Sequence, residues 1–179
     1  MRIVLPKSLC EIEPTYGPLF YLAGPIQGGD DWQATCSKEI RKHISSFYTA
    51  IPCRYGKDHA LTPFVMGGEA GYFTRQLFWE SYYMDQAATL GCLIFWLPRE
   101  SRTHPRIDGN PYAMDTRREL DEWRGWMAND ERLRVVIGAD SGFPGLDEIR
   151  RNFSEALGKS FPIYPTLHAT VVAAFAKVR

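Results

Sequence analysis

The acidic residue best placed to do chemistry is Glu119, in the segment "MDTRRELDEW". Leu120, Trp123 and Met127 form an apolar stripe, which predicts a helix that begins near residue 116 and buries one face. Glu119 borders this stripe in the expected first turn, where the helix dipole would keep a half-buried carboxylate ionised. A carboxylate held in this way could act as a nucleophile.

The same segment also has a purely structural interpretation. Thr116 and Glu119 have the spacing of a capping box, in which the glutamate side chain reaches back to the Thr116 amide. Such a pair would stabilise the helix without taking part in a reaction. The two roles are compatible, and the sequence leaves both open.

A second acidic residue, Glu80, lies in the helical segment "YFTRQLFWESYYMDQAA". Gln76, Glu80 and Tyr83 share one face of that helix, and Trp79 is adjacent. Polar groups beside aromatic rings suit a nucleobase, whose faces stack and whose edges form hydrogen bonds. The alternative is an amphipathic helix whose aromatic residues are core and whose acids, Asp85 included, point to solvent.

Alternating apolar runs and helical patterns predict the elements that must position these acids. The strands are expected at 19–23, 48–53, 92–97 and 133–138, with a weaker one at 161–164 and a possible edge strand at 2–5. The helices are expected at roughly 30–46, 72–90, 116–128, 144–157 and 166–178.

Repetition of strand and helix predicts one domain over residues 1–179. Its fold class would be α/β: a doubly wound, flavodoxin- or Rossmann-like domain of three layers with about five mainly parallel strands. The run "CLIFWL" is apolar at every position, which is typical of a central parallel strand covered on both faces. Ligands of such sheets bind beyond the carboxyl ends of the strands, so functional loops are expected just after residues 23, 53, 97 and 138.

The first of these loops lies in the segment "FYLAGPIQGGDDW". Gly24, Gly28 and Gly29 would let the backbone approach a ligand closely, and the next helix offers unpaired amides at its N-terminus. The pattern matches neither GxGxxG nor the P-loop, and a plain tight turn would have the same composition. Ligand binding and simple chain reversal both remain open.

The amino-acid composition restricts the kinds of partner that we expect this protein to bind. Lys plus Arg and Asp plus Glu number 21 each, so no net charge attracts nucleic acid or an acidic membrane. The four cysteines show no CxxC, and no paired histidine spacing indicates a zinc site, so we expect reduced thiols and no metal. No apolar run reaches the ~18 residues of a membrane span, and no signal-peptide pattern is present. We therefore expect a soluble, cytoplasmic protein.

Four segments together resemble the nucleoside 2-deoxyribosyltransferase-like family, which includes deoxynucleoside monophosphate N-glycosidases. They are "YLAGPI" with the nearby Trp32, "FWE" at 78–80, "CLIFWLP" at 92–98 and "TRREL" at 116–120. Their order and spacing cover residues 20 to about 140 of the chain. The chain departs from the family pattern at Leu90-Gly91, where relatives usually have Ala-Asp, and at Asp121, where they usually have Gly.

The resemblance implies roles for individual residues. Glu119 would be the nucleophile that attacks the anomeric carbon, and Glu80 would assist the leaving base. The sugar and base pocket would be lined by the Gly-Pro loop, which comprises Ala23, Gly24, Pro25 and Ile26. Further substrate-binding candidates are Trp32, Trp79, Asp85 and Asp115.

The activity implied by the resemblance is cleavage of an N-glycosidic bond through a glycosyl ester, with transfer of the sugar to another base. A nucleoside or nucleotide and a free base would be the ligands, no cofactor or metal would be needed, and a homo-oligomer is expected. A first alternative is a nucleoside 5'-monophosphate N-glycoside hydrolase.

Two further alternatives remain open. A nucleotide hydrolase would seat phosphate on the Gly-rich loop or on "ADSGFPG" at 139–145, with Arg99, Arg102 or Arg106 from the preceding loop. A non-catalytic nucleotide sensor would bind without turnover.

Overall fold

The computed structural model describes residues 1–53 and 55–179 and contains one sheet with six strands, all of them parallel within that part of the chain. The strands are β1 (Arg2–Val4), β2 (Leu19–Ala23), β3 (Tyr48–Ala50), β4 (Gly91–Leu97), β5 (Val135–Ala139) and β6 (Ile163–Tyr164). They lie in the order β1-β3-β2-β4-β5-β6.

The helices flank this sheet on both sides. They are α1 (Trp32–His43), α2 (Gln76–Leu90), α3 (Met114–Asn129), α4 (Leu146–Leu157) and α5 (Leu167–Val178), with a short 3-10 helix at Thr62–Phe64. Side chains of α2, α3 and α4 pack into the core on one face, and those of α1 and α5 pack into the core on the other. The predicted doubly wound, three-layer α/β fold is therefore confirmed.

The strand order explains where the sheet reverses direction. Strands β2 to β6 follow the flavodoxin-like order 2-1-3-4-5, and β1 adds an edge strand beside β3, which makes six strands rather than about five. The reversal falls between β2 and β4, the two central strands. A ligand site is expected at their carboxyl ends.

Every residue of β2 is buried because successive side chains point to opposite faces. Tyr21 enters the core beneath α2, α3 and α4, whereas Phe20 and Leu22 enter the core beneath α1 and α5. Each such apolar side chain stabilises the fold by about 1.5–3 kcal/mol through burial. This two-sided burial holds the end of β2 firmly where the Gly-Pro loop begins.

Several element boundaries differ from the sequence expectation. Strand β3 ends at Ala50 rather than at 53, and Pro52, which has no amide to donate to a ladder, follows it. Helix α1 begins at Trp32 because the Asp31 side chain accepts a hydrogen bond from the Ala34 amide and caps it. Helix α2 begins at Gln76 rather than near residue 72.

Among the described residues, none of the helices has the length and apolar character needed to span a bilayer.

Candidate active site

A cleft of about 860 Å³ opens at the carboxyl ends of β2 and β4, where the strand order reverses. This volume lies within the ~300–1,000 Å³ typical of small-molecule sites. The lining residues come from the end of β2, from the loops that follow β2, β3 and β4, and from the first three turns of α2 and α3: Tyr21, Ala23, Gly24, Pro25, Ile26, Gln27, Pro52, Cys53, Gln76, Leu77, Glu80, Arg106, Ala113, Asp115, Thr116, Arg118, Glu119 and Glu122. The loop after β5 does not line it.

The Gly-Pro loop is shaped by two tryptophans. Gly24 has φ 152°, and a Cβ there would overlap the Trp96 carbonyl and the Trp32 ring. The Trp32 indole N–H donates to the Pro25 carbonyl at 3.0 Å. This packing turns the chain sharply after β2, so that the predicted residues Ala23, Gly24, Pro25 and Ile26 all line the cleft.

Glu119 lies half-buried in the cleft wall, but not in the first turn of its helix as predicted. Helix α3 begins at Met114, its N-cap is Ala113 in a left-handed conformation, and no side chain caps it. Glu119 is therefore in the second turn, beyond the four unpaired amides that a capping side chain could reach. The capping-box prediction for Thr116 and Glu119 is wrong.

The expectation that Glu119 is ionised at neutral pH is also wrong. Burial, together with the nearby carboxylates of Glu80, Asp115 and Glu122, raises the pKa of Glu119 to about 8. Both effects oppose a negative charge, and together they exceed the small benefit of the helix dipole two turns into α3. At pH 7 a group with this pKa is only about one-tenth ionised.

Glu80 faces the same cleft from α2. The Gln76 side chain donates to Glu80 Oε1 at 2.8 Å and also to the Pro52 carbonyl at 3.2 Å, which ties the glutamate to the end of β3. Burial raises the pKa of Glu80, and Asp115 raises it further, whereas the Gln76 hydrogen bond lowers it. The predicted acids Glu80 and Glu119 are thus brought together, each with a weakened tendency to ionise.

Tyr21 is a site residue that the sequence interpretation missed. It lines the cleft from β2, yet its hydroxyl is buried and has no hydrogen-bond partner in the part of the chain that the structure describes. Burial raises its pKa, and the charges of Glu119 and Glu80 add to this effect. A tyrosine near the carboxyl end of an otherwise apolar strand was the available signal, because buried hydroxyls normally have partners.

Three predicted substrate-binding residues do not reach the cleft. Trp32 is buried behind the Gly-Pro loop, as described above. Trp79 is fully buried, donates its indole N–H to the Ser8 carbonyl at 3.1 Å, and packs against Tyr21 with ring centroids 5.8 Å apart. Asp85 is exposed and lies more than a turn beyond Glu80, on a different side of α2.

Asp115 does line the cleft, and two arginines accompany the acids there. Arg106 is engaged by Asp108 through two hydrogen bonds of 2.6 and 2.9 Å. Arg118 is exposed, and the ion pairs found among the described residues do not include it. With Glu80, Glu119 and Glu122 also present, acids outnumber bases in the cleft.

An acidic cleft can stabilise positive charge that develops on a bound ligand. It offers less to phosphate, and the proposed phosphate loop at 139–145 does not contribute to it. Of the three arginines suggested for phosphate, Arg106 reaches the cleft, and Arg99 instead pairs with Asp140 at 3.5 Å. The geometry therefore does not favour the nucleotide hydrolase alternative.

Comparison with protein-family models gave no match, and comparison with curated protein sequences gave none either.

Proposed function

We propose that this protein is a nucleoside 2-deoxyribosyltransferase that cleaves the N-glycosidic bond with retention of configuration. One observation supports the proposal above the others: Glu119 and Glu80, from two helices, face one nucleoside-sized cleft beneath the Gly-Pro loop. Paired carboxyl groups on either side of a scissile bond are the machinery of glycoside cleavage.

In the proposed first step, Glu119 attacks the anomeric carbon as a carboxylate, and the bond between sugar and base breaks. Positive charge develops on the sugar in the transition state, and the surrounding carboxylates stabilise it. Glu80, in its acid form, donates a proton to the departing base nitrogen. The products are a glycosyl ester on Glu119 and a free base.

In the second step, the nitrogen of an incoming base attacks the anomeric carbon and the ester bond breaks. The Glu80 carboxylate accepts the proton that the incoming nitrogen loses, which restores both acids. Two inversions at the same carbon give net retention. If water replaces the base, the same steps give hydrolysis.

The raised pKa values keep one proton on the pair; in the free protein it rests mainly on Glu119, so the proposed first step requires its transfer to Glu80. Like charges repel, so the two carboxyl groups hold one shared proton more readily than none. The singly protonated pair supplies one nucleophile and one acid, as the first step requires. The charges of both acids act on the Tyr21 hydroxyl, which has no partner within residues 1–53 and 55–179 and could donate a hydrogen bond to the ionised Glu119 after a small shift.

A second candidate function is hydrolysis of the N-glycosidic bond of (deoxy)nucleoside 5'-monophosphates. Arg118 supports it, because this arginine lines the cleft beside Glu119 and has no ion-pair partner among the described residues. A guanidinium in this position could bind a 5'-phosphate through two hydrogen bonds.

The test is incubation of the protein with a panel of deoxynucleosides and their monophosphates, with and without a free acceptor base, followed by chromatography of the products. Exchange of bases supports the transferase, and free sugar or sugar phosphate without exchange supports the hydrolase. Glu119→Gln should lower turnover by several orders of magnitude. The matched control is Glu155→Gln, an exposed glutamate on α4 that does not line the cleft.

A covalent label provides the second arm of the test. A slow 2-fluoro sugar analogue should add one glycosyl mass to the peptide that carries Glu119. A label on Glu80 or Asp115 would show that a different acid is the nucleophile. Binding without turnover in the unmodified protein would leave a nucleotide sensor as the remaining interpretation.

A further inference from the structure

A second cluster of reactive side chains lies on the opposite face of the sheet from α2 and α3. Glu39 and His43 are one turn apart on α1, and His168 lies in the first turn of α5. His168 Nδ1 is 2.7 Å from Glu39 Oε1, and His43 Nε2 is 3.9 Å from the same oxygen. One potential ligand atom from each residue lies within 4.8 Å of the other two.

The surrounding structure holds these three side chains in place. The His43 ring packs against the buried Phe175 ring, with centroids 5.1 Å apart. The side chain of Glu39 is only 15% exposed, which limits its rotamers. The start of α5 is fixed because Thr166 caps it by accepting a hydrogen bond from the Ala169 amide at 3.1 Å.

We propose that Glu39, His43 and His168 form a binding site for Zn²⁺ that connects α1 to α5. Zinc is held by imidazole nitrogens at ~2.0–2.1 Å and carboxylate oxygens at ~2.0–2.2 Å, which places tetrahedral ligand atoms roughly 3.4 Å apart. The present separations of 2.7 and 3.9 Å lie on either side of that value. Side-chain shifts of about 1 Å bring the three atoms to tetrahedral spacing.

The chemical types of the three ligand groups favour zinc over magnesium. Two imidazoles and one carboxylate suit zinc and its transition-metal neighbours, whereas Mg²⁺ requires oxygen ligands. The exposed side of His168 leaves the fourth position to solvent. The sequence spacing did not indicate this site, because Glu39 and His168 are 129 residues apart and meet only through the packing of α1 against α5.

Lys42 is the natural competitor for the metal. Its ammonium group contacts Glu39 Oε2 at 2.5 Å, on the oxygen that faces away from the two histidines. Oε1 therefore remains directed at the imidazoles, but the lysine offsets part of the negative charge that would attract a cation. Replacing Lys42 by methionine should strengthen zinc binding severalfold.

The experiment is calorimetric titration of the full-length chain, freed of metal by a chelator and carrying no histidine tag, with zinc chloride. We expect one Zn²⁺ per chain and at least tenfold weaker binding by the His43→Ala/His168→Ala double variant. The matched control is His104→Ala, which removes an exposed histidine from the loop before α3. The same concentration of Mg²⁺ should give no binding.

Thermal unfolding gives an independent readout, because an ion that binds only the folded chain raises its melting temperature. Zinc should raise the melting temperature of the parent protein and of His104→Ala but not of the double variant. The four cysteines are buried and do not compete in the folded state. Equal binding by the double variant, one ion per two chains, or no binding at all would overturn the proposal.

Discussion

Glu119 joins two properties that normally conflict, a position suited to nucleophilic attack and a pKa that opposes the nucleophilic form. If the singly protonated pair is the reactive form, kcat/KM should be level just below pH 8 and fall as pH rises above about 8, because the pair then loses its shared proton. Glu155→Gln, which changes an exposed glutamate outside the cleft, should show the same pH dependence as the parent protein. A rate that instead rises through pH 8 would mean that the fully ionised pair reacts and that Glu80 does not donate the proton.

The same pKa makes a prediction about stability. The folded chain binds a proton at Glu119 up to about pH 8, whereas the unfolded value is 4.5, so the folded state holds more protons between these limits. This contribution to stability is complete below pH 4.5 and is lost as pH rises to about 8. Glu119→Gln removes the cost of ionisation and should raise the free energy of unfolding at pH 8.5 by about 1–3 kcal/mol, after allowance for solvent screening.

Urea unfolding at pH 5 and pH 8.5 tests this prediction. The difference between Glu119→Gln and the parent protein should be small at the lower pH and large at the higher one. Glu155→Gln, which changes an exposed glutamate, should show no such difference. A variant that is less stable than the parent at pH 8.5 would mean that the Glu119 side chain has a structural role.

Tyr21 tests whether an unpaired buried hydroxyl is kept for a ligand. Tyr21→Phe removes a group with no hydrogen-bond partner, so the free energy of unfolding should stay the same or rise by up to about 1 kcal/mol. Turnover should fall about 10–100-fold if the hydroxyl orients Glu119, a typical effect of losing one polar group near the reacting atoms. Steady-state kinetics and urea unfolding of the same Tyr21→Phe preparation measure both quantities. An unchanged kcat would mean that the Tyr21 hydroxyl has no role in turnover and that the ring serves only in packing.

Helix α2 has one face in the cleft and another in the core. Gln76, Leu77 and Glu80 line the cleft, whereas Trp79 packs inward against Tyr21. Helix α2 therefore packs against β2 through Trp79 and places the Glu80 carboxyl group in the cleft.

Trp79→Ala should consequently act on stability. Its fully buried indole leaves a cavity when removed, and the expected loss is about 3–5 kcal/mol of unfolding free energy. Trp126→Ala on α3 removes a ring that is 39% exposed and should cost much less. Chemical unfolding compares the two variants. If Trp79→Ala keeps the stability of the parent protein but binds the ligand more weakly, Trp79 contacts the base rather than belonging to the core.

At the scale of the whole molecule, the exposed apolar residues are unevenly distributed. Tyr72, Leu77, Phe78 and Tyr82, each at least 40% exposed, lie on or just before α2, and Leu77 also lines the cleft. Clusters of this kind commonly mark contact surfaces. The expected homo-oligomer would most simply form through this part of α2.

Light scattering during size-exclusion chromatography should then give a mass above the 20.4 kDa of one chain. Phe78→Glu should shift the mass to that of one chain, because a charge would be buried in the contact. Val172→Glu is the matched control, since Val172 is 45% exposed on α5, on the other side of the sheet. A single-chain mass for the parent protein would exclude the oligomer at the concentration used.

The layered fold and the position of the cleft could be predicted from the amino-acid sequence alone. Apolar runs such as "CLIFWL" and amphipathic helices are local patterns with fixed periods, and parallel strands place their functional loops at one edge. That rule was sufficient to predict that the Gly-Pro loop, Glu80 and Glu119 lie at the same end of the sheet. Their chemical roles remain proposals.

Three-dimensional packing settled which aromatic residues are core, because Trp79 and Tyr83 give the same local sequence pattern whether they face a ligand or a sheet. It also decided the pKa of Glu119 and the meeting of His43 with His168. Burial and charge at each of these groups depend on side chains from other elements, distant in the chain. Local periodicity carries no information about which distant groups become neighbours, so the charge state of the acids and the second cluster could be known only once the helices were packed.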